Sequence, residues 1–357
     1  MSAEHAPEAL LSLADYEQAA EQLVDVGPHG YYAGGAADEL TLADNLASWR
    51  RLSIRPRMLV GVRTRDTSVT LLGRKRPHPL LIAPMALHGL AHRDGESATA
   101  RAAAATDSII CLSTFASKKV AEVAEAVPNS TRWFQLYVFN DRGVSRDLVA
   151  QAHESGCEAL VVTVDLPVRG AREREQRSPI DASLGNVPAT MTTAEFMALI
   201  DAGLTWKDIE QFASDSPLPV IIKGVLRADD ARLAAEHGAS GIVVSNHGGR
   251  QLDTAIAGAD ALPEVVDEVG GQLDVLVDGG IRRGTDVLKA LALGAQAVMI
   301  GRPVLWGLAV DGSDGARRVI EILQAELDSA QALAGAPNAS SIDRSLITPA
   351  AGSTGAQ

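Results

Sequence analysis

The chain has 357 residues, 46% of them hydrophobic and 22% charged, and a formal net charge of −13. That charge argues against nucleic acid or an anionic membrane as partner, because both need a basic surface, so an anionic ligand must be met by individually placed Arg or Lys. The two cysteines, Cys111 and Cys157, lie in apolar stretches and read as buried free thiols; neither a disulfide framework nor a metal site is expected.

In chain order, Met1 to Pro7 lack the basic and apolar blocks of a signal peptide. No apolar run approaches the ~20 residues of a membrane span. The tail Ser353-Thr354-Gly355-Ala356-Gln357 matches no receptor-read address. The expected location is the cytoplasm. Residues 1–78 read as an N-terminal helical cap, since Leu13 to Val26 and Leu40 to Leu52 are amphipathic. The cap is expected to plug the floor or wall of the remaining domain.

Eight short apolar runs then begin near residues 79, 108, 131, 159, 219, 241, 274 and 297. Runs of this length suit parallel strands covered on both faces, and Ala228 to His237 and Thr285 to Leu293 carry helical spacing between them. Eight such units predict an α/β fold, a (β/α)8 barrel over residues 79–335 within one domain of residues 1–357. A doubly wound open sheet is the alternative, but no Gly-rich dinucleotide loop follows Ile82. The one outsized connection follows the fourth strand. Residues 166–205 hold a charge cluster, Arg169 to Arg177, and then a Pro/Ser/Thr/Ala-rich stretch, which predicts a lid. Val319 to Ala334 should form the last outer helix, and residues 336–357 a flexible tail.

Every run ends in polar residues or glycine, and in this barrel class the carboxyl ends of the strands share one catalytic mouth. His247 ends the sixth run with Arg250 three residues on, and Asp165 ends the fourth. An Asp that hydrogen-bonds an imidazole fixes its tautomer and stabilises the cation formed when it accepts a proton. Asp278-Gly279-Gly280-Ile281-Arg282 and Gly301-Arg302-Pro303 place glycines and cations after the seventh and eighth strands, where many barrels bind phosphate. Lys223 ends the fifth strand facing inward, which is costly unless an anion or an electron-rich group meets it. On residue chemistry alone it is either a Schiff-base lysine in a flavin-free aldolase or isomerase, or a cation beside a flavin ring.

Tyr31-Tyr32-Ala33-Gly34-Gly35-Ala36, Ile82-Ala83-Pro84-Met85-Ala86, Phe134-Gln135-Leu136-Tyr137, Thr163-Val164-Asp165, Ile222-Lys223-Gly224, Ser245-Asn246-His247-Gly248-Gly249-Arg250-Gln251-Leu252-Asp253, Asp278-Gly279-Gly280 and Ile300-Gly301-Arg302-Pro303 resemble the FMN-dependent 2-hydroxy acid oxidases and dehydrogenases. The resemblance runs from about Leu13 to Gly335 with the motifs in the family's order. It implies FMN as cofactor and oxidation of an L-2-hydroxy acid to the 2-oxo acid, with electrons passing on to O2 to give H2O2. It settles Lys223 in favour of flavin.

By that resemblance, Ala83, Pro84, Met85 and Ala86 line the flavin, and Ser113, Gln135, Thr163, Lys223 and Ser245 attend its ring. Asp278, Gly280, Arg282, Gly301 and Arg302 surround the ribityl phosphate. Tyr31, Arg172 and Arg250 hold the substrate carboxylate, Tyr137 contacts the hydroxyl, and His247 is the base paired with Asp165. Phe115 stands where glycolate oxidases carry Trp, which implies an acid larger than glycolate, such as lactate, mandelate or a medium-chain acid. Ala86 favours O2 as acceptor over a quinone or cytochrome, and the family implies a homotetramer.

Overall fold

The computed structural model of the chain describes residues 10–180, 182–186 and 191–350. The expectations for Met1 to Pro7 and for residues 351–357, and part of the lid segment, lie outside the described residues. The chain opens with three helices, α1 (Leu13–Leu23), α2 (Val26–Ala33) and α3 (Leu40–Arg50). Helix α1 starts at Ser12 because Ser12 and Asp15 form a reciprocal capping box. A short strand, β1 (Leu52–Ile54), and a hairpin of β2 (Val69–Leu71) and β3 (Arg74–Arg76) come next. Leu72 and Gly73 turn the hairpin with φ of 48° and 70°, a two-residue connection with both residues left-handed.

The barrel is then built from β4 (Leu80–Ile82), α4 (Gly95–Ala105), β5 (Ile109–Ser113), α5 (Val120–Ala126), β6 (Thr131–Leu136), α6 (Arg142–Glu154) and β7 (Leu160–Thr163). After β7 come α7 (Glu173–Arg177), α8 (Thr193–Ala198) and α9 (Trp206–Asp215). The circuit finishes with β8 (Val220–Val225), α10 (Ala228–Glu236), β9 (Gly241–Val244), α11 (Gly258–Val269), β10 (Asp274–Asp278), α12 (Gly284–Leu293), β11 (Ala297–Ile300) and α13 (Arg302–Ala334). All eight strands β4 to β11 pair in parallel and close, β11 bonding back to β4. Closure excludes the open doubly wound sheet.

The strands are apolar throughout because both faces are dry. Leu81, Ile109, Trp133, Val161, Ile221, Val243, Leu276 and Met299 pack into the interior of the barrel. Their neighbours Ile82, Ile110, Phe134, Leu160, Ile222, Ile242, Val275 and Val298 pack outward under the helices. Each such fully buried side chain contributes about 1.5–3 kcal/mol by leaving water.

Three expectations change. The section before residue 79 does reach the floor of the barrel, but through the hairpin and not the helices: Leu71 is fully buried against the interior cluster, and Leu72 N–H donates to Asp274 at the amino end of β10. Helices α2 and α3 lie instead at the mouth. The last outer helix starts at Arg302, well before Val319, with non-helical backbone at Asp311 and Gly312. Residues 336–350 are packed, not frayed. A strand β12 (Ile347–Pro349) pairs antiparallel with β1, and Ala336, Ile342 and Leu346 are buried. The polar surface of this segment hides three apolar anchors. Leu346→Ala should therefore cost roughly 2–5 kcal/mol of stability, read as a lowered urea midpoint, whereas a frayed tail would leave the midpoint unchanged.

Candidate active site

A cavity of about 660 Å³ opens at the carboxyl ends of the strands. Its walls include Ala83, Pro84, Met85 and Ala86 after β4, Ser113 at the end of β5 with Phe115 beyond it, Gln135 in β6 with Tyr137 just after it, Thr163 at the end of β7 and Lys223 in β8. His247 and Arg250 follow β9, Asp278, Gly280 and Arg282 follow β10, and Gly301 and Arg302 follow β11, while Tyr31 comes from α2 and Arg172 from the segment after β7. The remaining two predicted residues, Asp165 and Ser245, stand behind this wall.

His247 has a left-handed backbone, φ 61°, followed by Gly248 at 65° and Gly249 at 75°. A non-glycine residue is costly there, so the surroundings must hold it. Ser245 Oγ accepts from His247 N–H at 3.0 Å. The Asn246 side chain is paired both ways with Asn45 of α3. Helix α3 comes so close that a Cβ on Gly249 would meet Leu42 backbone at 2.7 Å, and one on Gly280 would meet the Asn45 carbonyl at 1.8 Å. This turn aims the imidazole into the cavity.

His247 Nδ1 lies 2.7 Å from Asp165 Oδ1, and Nε2 lies 3.5 Å from the Tyr137 hydroxyl. Burial pushes the imidazole pKa below its usual value despite the neighbouring carboxylate. Burial opposes ionisation of Asp165 too, but His247, by its charge whenever the imidazole is protonated and by its hydrogen bond in either state, together with Lys223, holds the carboxyl below the ordinary range. At neutral pH Asp165 is thus ionised and His247 neutral, with Nδ1–H donating and Nε2 free to accept. Burial, with Asp165 next, pushes the Tyr137 phenol up, so it stays protonated.

Lys223 Nζ is 2.9 Å from Asp278 Oδ2 and donates to Ser245 Oγ at 2.8 Å. Burial alone would lower its pKa; Asp278 and Asp165 outweigh burial and hold it above the usual value. A Schiff-base lysine must be a free amine, so this cation is unsuited to the aldolase reading. Two placements are corrected here. Ser245 braces Lys223 and His247 from behind, and the Asp278 carboxylate, which would repel a phosphate, answers the lysine.

The arginines are held by peptide carbonyls. Arg250 Nη1 donates to Tyr31 O and Gly34 O, and its guanidinium lies 5.0 Å from the Tyr31 ring centroid. Arg302 donates to Tyr32 O, Gly248 O and Gly34 O. Arg172 donates to Arg250 O and to Gln251 Oε1, both at 2.9 Å. Burial, reinforced by Arg250, pushes Arg172 down to about 10 and Arg302 down to about 9. Burial also lowers Arg282. Cations so placed favour an anionic ligand.

The donor set fits a flavin nucleotide. Gln135 Oε1 accepts from Ser113 Oγ and Thr114 N–H, which turns Nε2 away as a free donor. Gln135 Nε2, Thr163 Oγ1 and Asp278 Oδ1 are buried atoms without a protein partner, and all three residues line the cavity. A polar heterocycle with a ribityl chain would satisfy them.

A family model described as FMN-dependent dehydrogenase matches residues 20–349. The chain belongs to the FMN-dependent dehydrogenase family. FMN is accordingly its cofactor. The chain is 49% identical over 356 residues to an L-lactate oxidase of Nostoc sp. (strain PCC 7120), covering 94% of this chain and 98% of the relative. It is 43% identical to human 2-hydroxyacid oxidase 1, covering 95% and 96%. A solved mandelate oxidase variant with (S)-mandelic acid superposes with a TM-score of 0.88 at 41% identity, covering 96% of this chain and 99% of that one.

Some residues of this site carry no signal in the sequence. Gln251 accepts from Arg172 and from Gly170 N–H and donates to Asp165 O and Val168 O, so it ties the two loops that carry the base pair and one arginine. It lies inside the Ser245 to Asp253 motif after β9, where an uncharged amide gives no reason to single it out. Ile180, Leu184 and Met197 add apolar wall from the segment after β7. No spacing rule places them there.

The buried pair of Lys223 and Asp278 predicts an asymmetry. Asp278→Asn leaves the ammonium without its carboxylate and should cost roughly 3–5 kcal/mol in urea unfolding. A combined Lys223→Met/Asp278→Asn variant should lose less than the single one; an equal or larger loss would show that the carboxylate matters for another reason.

Proposed function

We propose that this enzyme oxidises an (S)-2-hydroxy acid to the 2-oxo acid and passes the electrons to O2, releasing H2O2. The observation that carries this reading is the imidazole of His247, neutral and fixed by Asp165, with Nε2 turned to a cavity that also holds Tyr137, Arg172 and Arg250. FMN would supply the two-electron acceptor for the oxidation at the substrate α-carbon. Arg172 and Arg250 bind the carboxylate, Arg250 with the N–H groups not donated to α2, because guanidinium forks suit planar carboxylates. The Tyr31 ring packs beneath Arg250 and steadies it. Tyr137 orients the hydroxyl. His247 Nε2 removes one proton, and the anionic Asp165 stabilises the imidazolium that results. Lys223, Gln135, Thr163 and Ser113 would hold the flavin ring, Gly280, Arg282, Gly301 and Arg302 would hold its phosphate arm, and Ala83 to Ala86 would supply further wall for it.

We place the enzyme in the cytoplasm; no helix among the described residues is long and apolar enough to cross a membrane. A homotetramer is supported by family resemblance and by Val168, Leu252 and Ile256, apolar yet exposed on the loops after β7 and β9. Anaerobic bleaching of the flavin by a panel of hydroxy acids, followed by air, tests the whole reading. Recovery of the yellow colour with stoichiometric peroxide is expected; slow recovery in air alongside fast recovery with a quinone would assign a dehydrogenase.

His247 must be neutral to accept a proton, and its pKa is lowered, so the base form persists into acid. The acid limb of flavin reduction should fall below pH 6.5, the usual imidazole value. His247→Gln should retain the flavin and lose about 10²–10⁴-fold in the reduction rate. A limb above that value, or fast bleaching by the variant, would put the proton on another group.

Phe115 stacks on Tyr137 at 4.9 Å and meets Phe196 edge-on at 5.9 Å, and the wall beyond it is apolar. This supports a substrate larger than glycolate, each buried methylene adding roughly 0.8 kcal/mol until the space is full. Phe115→Trp should reduce kcat/KM for 2-hydroxyoctanoate and mandelate more than for glycolate. Equal losses across the panel would reduce Phe115 to a packing residue for Phe196.

A further inference from the structure

A second cavity, of about 300 Å³, lies beside the first. It is walled by Val138, Leu166, Leu204, Trp206, Ile209 and Val225, so it sits between the carboxyl ends of β7 and β8, the loop after α8 and the start of α9. Thr163 and Leu166 line both cavities. These two residues therefore stand between the cavities and face both. Asp201 and Asp230 stand on the same lining, and Asp201 is paired with Arg142 at 2.6 Å.

We propose that this second cavity holds dioxygen and admits it to the central cavity past Thr163 and Leu166. Dioxygen is uncharged and a poor hydrogen-bond acceptor, so it gains by leaving water for the apolar part of this cavity, walled by Val138, Leu166, Leu204, Ile209 and Val225, as xenon does. The central cavity is lined by Arg169, Arg172, Arg250 and Glu175, a set that suits the anionic substrate and product. A separate apolar route lets the gas arrive while the keto acid still occupies that path. The proposal rests on the oxidase reading, in which dioxygen takes two electrons from reduced FMN, generated by oxidation of the hydroxy acid, and two protons from solvent to give H2O2. No bond of the protein changes.

Two measurements on the FMN-loaded enzyme test it. Crystals pressurised with xenon should show the gas among Leu204, Trp206 and Ile209. Leu204→Trp and Ile209→Phe fill the cavity from two different elements, and neither Leu204 nor Ile209 lines the central one. Each should lower the second-order rate of reoxidation of the photoreduced enzyme by O2 about tenfold, equal to about 1.4 kcal/mol of barrier. Anaerobic reduction by the hydroxy acid should be unchanged. Xenon absent from the cavity, or filled variants that reoxidise as fast as the parent, would overturn the route and leave the oxidase reading standing. A parent enzyme that reacts with O2 no faster than free reduced FMN would overturn the oxidase reading itself. Should the filled variants fail to fold, the xenon result alone decides.

Discussion

Burying positive charge at the dry end of a parallel barrel is the constraint on which the rest of this structure depends. An isolated cation there is strongly disfavoured, and the chain meets the cost in two ways. Lys223 receives a full counter-charge from Asp278. Arg250 and Arg302 receive the carbonyls of Tyr31, Tyr32 and Gly34, at the end of α2, where the helix dipole presents partial negative charge. Carbonyls offset less than a carboxylate does. Lys223 accordingly sits above its ordinary pKa while Arg302 is held at about 9.

The same contacts explain why a cap precedes the barrel. Helix α2 delivers Tyr31 to the mouth because two arginines grip its last carbonyls. Helix α3 lies across the turns after β9 and β10, where only glycine at 249 and 280 permits the approach. Its Asn45 then pairs with Asn246, and Trp49 Nε1 donates to Gly279 O. Backbone strain at His247 is thus held by packing from outside the barrel. A site made from strand ends alone would lack both the carbonyls that hold Arg250 and Arg302 and the brace.

The eight strands were legible because two dry faces force continuous apolar runs, and all eight starts fall within a residue of their expected positions. The residues brought to the mouth were legible for a related reason: polar side chains at the ends of such runs can only be there for a ligand or for each other. Which of those two applies is hidden in a linear chain. Ser245 serves its neighbours, and Asp278 answers Lys223 with one oxygen while the other is left for a ligand; only the pairing across strands reveals it. The floor hairpin was missed although Gly73 follows an alternating Val69-Thr70-Leu71, because a three-residue strand gives too short a pattern. The segment after Gly335 looked frayed because three buried side chains in the fifteen residues 336–350 set no period. Gln251 and the apolar wall of the lid depend on which loops meet in space.

The proposed chemistry also depends on how three neighbouring groups share their protons. Burial acts on Asp165, His247 and Tyr137 together and in each case opposes the charged form. It cannot win for all three, because Asp165 gains a hydrogen bond from His247 and the field of Lys223, and so ionises. That single charge then works outward. It accepts Nδ1–H and so exposes the Nε2 lone pair, and it raises the phenol of Tyr137 further beyond reach of ionisation. Among the three, only His247 can accept a proton near neutral pH, and only Tyr137 can donate a hydrogen bond to the substrate oxygen without losing its own proton. The direction of proton flow in the proposed reaction is therefore set by a carboxylate that does not itself line the cavity.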